Sequence, residues 1–235
     1  MPTHSPIGPG LGAAALAISG VLFAAFPLVR PFFRLDVFAP TLASVASGPL
    51  ASTSWIVAHL LLMLAFALLP LGLLALGTTV DGPTGWHGRR GSALGVVGVG
   101  LVMPAVGVET FAMPVIGGLY LDGVTGVGPA LASIYRGPMT LVMLVGLAAL
   151  ALGAIELARG VWRGTELPRW GAIALAVGLA SWLPLLPRPI RVVDGLLIGL
   201  GGVSMAWGLW RSGAARAAAG AAATRCRRSA AYRAL

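Results

Sequence analysis

Hydrophobic and polar positions alternate along this chain in long blocks, not with the short period of a half-buried strand or a surface helix. Six apolar blocks stand out, at roughly residues 10–29, 54–78, 92–117, 138–158, 170–186 and 195–210. Each reaches or approaches the ~20 residues a helix needs to cross ~30 Å of hydrocarbon. The pattern therefore predicts an all-α fold: a polytopic membrane bundle of about six transmembrane helices over residues 1–210, followed by a basic tail over residues 211–235. The last two blocks are short. They are joined by Leu186-Pro187-Arg188-Pro189-Ile190-Arg191, whose prolines break a helix and whose arginines resist burial in lipid, so they read as a tight helical hairpin.

Composition supports a lipid-facing surface. Of 235 residues 57% are apolar and 10% are charged, with a mean hydropathy of +0.91. A soluble domain carries roughly 25% charged residues. All 16 basic residues are arginines and no lysine is present, a bias expected of a GC-rich bacterial genome, which places the protein in a bacterial cell membrane. The net charge of +9 does not imply nucleic acid, because the arginines lie between apolar blocks, where they set orientation. With both termini inside, eleven arginines fall on the inner side and five on the outer, so the positive-inside rule predicts cytoplasmic termini. Arg30 and Arg34, which follow the first block with nothing basic before it, are the one local signal against this orientation. Met1 to Gly10 contain no Lys or Arg, so the first block reads as a retained span and not as a cleaved signal.

Several segments are open to two readings. Val37 to Leu50 is too apolar for a simple wet loop and too broken to span, and is either an interfacial segment or a loop lying over helix ends. Gly91 with Gly95, Ala174 with Gly178, and Gly195 with Gly199 have the spacing of helix packing seams. The tail from Arg211 onward holds six arginines, each able to gain ~1 kcal/mol from anionic lipid, or else serving only to fix topology. Within it the single Cys226 is expected to be a free cytoplasmic thiol. No repeat relates the two halves, so an inverted-repeat transporter gains no support.

Ionisable residues inside spans mark functional sites by default, because they are costly there. Two lie well inside a block: His59 in the second and Glu109 in the third. At 1.5 Å per residue, His59 is ~8 Å and Glu109 ~12 Å below the outer ends of antiparallel neighbouring helices, so the two side chains can meet. Such a pair is either a proton or ligand site or a structural lock between helices. Pro104 and Pro114 bracket Glu109 and free backbone carbonyls near it. Ser181, Trp182, Tyr120 and Tyr135 fall at a similar depth. Ser181 and Trp182 join His59 and Glu109 as candidate ligand-binding residues, although Trp and Tyr near helix ends, with Trp55, Trp86, Trp162, Trp170 and Trp210, also fit interfacial anchors. Glu156 with Arg159, and Asp194 with Arg191, read as helix-end ion pairs.

No cofactor or metal is expected. A bis-histidine haem needs two intramembrane histidines, and His4 and His87 lie in polar segments. No zinc-protease, phosphate-loop or nucleophile-elbow motif occurs, and the glycines from 95 to 100 belong to a span.

The segments Ser54-Trp55-Ile56-Val57-Ala58-His59, Gly107-Val108-Glu109-Thr110-Phe111-Ala112 and Trp162-Arg163-Gly164-Thr165-Glu166-Leu167-Pro168-Arg169-Trp170 resemble those of uncharacterised multi-span membrane proteins of actinobacteria. The resemblance covers most of the chain and implies the same architecture, with no catalytic residue to carry over. After the glutamate this chain has Ala112, Met113 and Pro114, which weakens a metal site. Two functions follow as expectations: small-ligand binding or transport through the polar site in the outer half, or a non-catalytic membrane component that binds a protein or lipid partner. The bilayer is the expected environment, and association with a second copy is left open.

Overall fold

The architecture was established from a computed structural model that describes residues 9–32, 48–80, 85–183 and 186–233, the side chains of 9, 131, 132 and 216–233 excepted. Its regular elements are all helical: α1 (Pro9–Val29), α2 (Thr53–Val80), α3 (Trp86–Leu121), α4 (Val127–Arg136), α5 (Pro138–Gly164), α6 (Arg169–Ala180) and α7 (Arg188–Arg233). Among the described residues five helical stretches are long and apolar enough to cross a bilayer: Gly10–Val29, Thr53–Val80, Trp86–Leu121, Val127–Gly164 and Arg188–Ala215. The block at 170–186 corresponds to α6, whose 12 residues rise only ~18 Å, and the chain leaves the helix at Ser181.

The helices close into a ring. Each packs on its sequence neighbour in the order α1, α2, α3, α5, α6, α7, and α7 returns to α1. Glycine makes the tightest of these crossings possible. A Cβ on Gly98 would come within 2.7 Å of the Gly146 carbonyl, and one on Gly153 within 2.7 Å of the Gly91 carbonyl, so α3 and α5 touch backbone to backbone. With lipid as the alternative solvent, such close approach is a main source of helix association. Gly195 and Gly199 form the corresponding seam of α7 on α1, against Phe23 and Gly20. On α6, Gly178 meets α7 at Asp194 and Ile198, and Gly171 meets it at Ser204, whereas Ala174 is only half-buried.

Two expectations at the ends of the spans need correction. Arg191 is not in a wet hairpin loop: α7 starts at Arg188, with Pro189 in its first turn where no N–H is needed, and Arg191 is 1% exposed. Helical backbone also continues through Arg233, so the basic segment extends α7 as a helix. The side chains from 216 onward, Cys226 among them, lie outside the described residues, as do Arg34 and Val37 to Ser47. Residues 48–50 form a helical turn, and Leu50 is buried with Trp55 and Met113.

Candidate functional site

The polar site begins with a defect in α3. Pro114 has no N–H, and the Met113 N–H bonds the Val108 carbonyl, five residues back, in a π-helical turn spanning Val108–Ala112. The Glu109 carbonyl thus loses its α-helical donor at Met113, and Pro114 can offer none in the wider register. The Trp55 indole N–H of α2 donates to that carbonyl at 2.8 Å. A π turn places one extra residue in the helix, and here it turns Glu109 toward α2.

His59 and Glu109 are brought together as the depth argument anticipates. His59 is buried, and its Nε2 lies 3.9 Å from Glu109 Oε2. The Tyr135 hydroxyl donates to Glu109 Oε1 at 2.7 Å. Tyr135 reaches it because Gly126, with φ +84°, starts α4, while Gly137, held extended before Pro138, ends it. His59 Nδ1 lies 2.8 Å from the Trp55 carbonyl. A carbonyl can only accept, so Nδ1 carries hydrogen and Nε2 is the atom turned to Glu109. Glu109 Oε2 is buried without a hydrogen-bond partner.

Aromatic rings wall this site. Trp55 stacks on His59 with centroids 4.2 Å apart, Phe26 meets His59 edge-on at 5.4 Å, and Trp182 packs on both Phe23 and Phe26. Arg30 places its guanidinium carbon 4.9 Å from the Trp55 ring centroid. Trp55 and Trp182 are therefore core residues and not interfacial anchors, whereas Trp86, Trp162, Trp170 and Trp210 are exposed as anchors would be. Tyr135 is likewise a partner of Glu109 and no anchor.

Ser181 belongs to a second cluster beside the first. Its hydroxyl donates to Asp194 Oδ1 at 2.7 Å. Asp194 does not bond Arg191, as an ion pair at the helix end would require: Arg191 lies over Trp182, its guanidinium carbon 4.2 Å from the ring centroid. The sequence pointed to His59, Glu109, Ser181 and Trp182 and put Tyr135 at their depth, with Tyr135 and Trp55 read as interfacial anchors; Arg30 and Arg191 were missed as neighbours. Their shared position at one end of successive helices was the available signal.

At the opposite end of the bundle, Glu156 bonds Arg159 at 2.9 Å as expected from their spacing. It also accepts from His87 Nδ1 at 2.7 Å, a contact that sequence reading missed by placing His87 in a polar connection. The Arg163 guanidinium donates to His87 Nε2 at 2.9 Å.

Comparison of the chain with family models, with curated proteins and with solved structures returns no match. Among the described residues no group of three or more His, Cys, Asp or Glu side chains could hold a metal ion.

Proposed function

We propose that the protein is a membrane-embedded binding or transport bundle whose outer-half site takes up a proton, or a small ligand that presents hydrogens, between His59 and Glu109. One observation carries the reading. With Nδ1 donating to Trp55, a neutral His59 turns a lone pair toward Glu109 Oε2, which has no hydrogen-bond partner of its own. Two acceptors facing one another in a buried site repel unless a hydrogen comes between them. The hydrogen can reside on His59, on Glu109, or on a bound molecule. Tyr135 and the Trp55 indole hold the glutamate in place from its other sides.

Infrared titration of the full chain in nanodiscs tests this. A protonated-carboxyl band that appears and disappears reversibly with pH, and that Glu109→Gln removes, is expected. Proteoliposomes with an imposed pH gradient test movement: faster decay in the native protein than in Glu109→Gln is expected. If neither readout distinguishes the two proteins, the pair is a structural lock and the component reading takes its place.

The orientation belongs to the same proposal. The eleven-to-five distribution of arginines supports cytoplasmic termini, with α6 completing a sixth, short crossing, and the composition supports a bacterial cell membrane. A reporter fused after residue 235 should be active in its cytoplasmic form only; activity of a form that works only outside would reverse the orientation.

A further inference from the structure

We propose that Arg30 and Arg191, together with Asp194, form an oxyanion site at the outer end of the bundle, for a phosphate-like group that also bears a hydroxyl or ammonium hydrogen. This site adjoins the His59–Glu109 pair, with Arg30 standing between the two, and is proposed separately from the function of that pair.

The two guanidiniums flank one aromatic pair. Arg30 lies 5.8 Å from the Phe26 ring, Phe26 is 5.8 Å from Trp182, and Arg191 covers Trp182 at 4.2 Å. A third guanidinium, on the exposed Arg188, shares the Phe32 ring with Arg30, at 5.7 and 5.1 Å, and gives the cluster a positive rim.

Donors are in excess within the cluster. Arg191 is 1% exposed, yet its Nε and Nη1 have no hydrogen-bond partner, nor does the buried Nε of Arg30. The rings beneath them supply cation–π attraction but accept no in-plane N–H bond. An unpaired guanidinium is among the most expensive groups to remove from water unless an opposite charge is close. Asp194 is the carboxylate beside Arg191, with one oxygen committed to Ser181, and Glu109 is the carboxylate beside Arg30; against these two the cluster sets three guanidiniums, Arg30, Arg188 and Arg191. Water would satisfy the N–H groups and leave the charge. An oxyanion satisfies both.

The other orphan defines the ligand further. Asp194 Oδ2 is buried with no donor, so a simple carboxylate ligand would add a second acceptor against it. A phosphate-like group with a hydrogen of its own offers oxygens to two guanidinium forks and a donor to Asp194. Arg191 lies in the first turn of α7, so the site falls at the level where lipid phosphates lie. A lipid headgroup and free phosphate share this chemistry.

The test uses the delipidated full chain in a neutral detergent and follows thermal unfolding during titration with inorganic phosphate, with phosphatidylglycerol, and with diacylglycerol of the same acyl chains. Saturable stabilisation by phosphatidylglycerol and not diacylglycerol is expected for a lipid headgroup; saturable stabilisation by inorganic phosphate is expected for a free oxyanion. In either case Arg191→Gln and Arg30→Gln should each weaken the apparent affinity at least about tenfold, the loss of a charge-assisted bond. Arg159→Gln, which removes the same charge at the other end, should leave it unchanged. Should Arg191→Gln not fold, Arg191→Lys keeps the charge, loses the fork and should still weaken binding several-fold. Stabilisation that is absent for both phosphates, or indifferent to Arg30 and Arg191, overturns the proposal.

Discussion

Each end of the bundle sets a histidine against a glutamate, His59 with Glu109 on one side and His87 with Glu156 on the other, and the two pairs are built on opposite principles. In the His87 cluster every atom has its complement: Arg163 donates to Nε2, Nδ1–H donates to Glu156, and Arg159 donates to the remaining oxygen. The tautomer is fixed and nothing further is needed. In the His59 cluster the two outward atoms, Nε2 and Oε2, are both acceptors when His59 is neutral and Glu109 ionised, and they stand 3.9 Å apart. The closed pair is a fastening between α3 and α5. The open pair has room in its chemistry for one more hydrogen. The difference teaches that proximity of the same two residue types says little; the direction in which each hydrogen bond is already committed decides what the pair can still do.

Glu109→Leu should break the comparison most strongly. It leaves the Tyr135 hydroxyl and His59 Nε2 facing an apolar group, and a buried group without its partner costs ~1 to 3 kcal/mol, so a drop in melting temperature in detergent well beyond that of Glu109→Gln is expected. Trp55→Phe keeps a ring against His59 and removes the donor to the orphan carbonyl of the π turn; a loss of about 1 to 2 kcal/mol is expected, read as faster amide exchange confined to residues 106–114. Tyr135→Phe should cost about 1 kcal/mol and shift the infrared band of the Glu109 carboxyl, which a purely packing role for the tyrosine would leave in place. Arg159→Ala should have the smallest effect, on the order of 0.5 kcal/mol or less, because the arginine is 61% exposed and its pair is screened. If Arg159→Ala matched Glu109→Leu in thermal unfolding, the contrast between the two ends would fail.

The helices were legible because lipid imposes a length and an apolarity that loops lack, and the meeting of His59 with Glu109 followed from helix rise alone. The limits are equally physical. The apolar block of α6 was legible as short but was carried to residue 186, whereas the chain leaves the helix at Ser181, six residues before Pro187. Arg191 was counted as a wet residue because charge alone was weighed; an aromatic face, here Trp182, lets a guanidinium be buried in protein instead. The pairing of Trp55 with the Glu109 carbonyl depends on which N–H the π turn uses, and that register is not a property of spacing. His87 and Glu156 lie 69 positions apart, and only the packing of α3 on α5 brings them into contact.

The packing of α1 on α7 joins the first of the described helices to the last, so the face of α1 that carries Gly20 is covered only once α7 is in place. Ser19 ties α1 to α2 independently of α7: its hydroxyl donates to the Ala65 carbonyl of α2 at 2.8 Å. α7 also carries Arg191 and Asp194, so the arginine cluster depends on that closure, whereas the contact of His59 with Glu109 is made between α2 and α3.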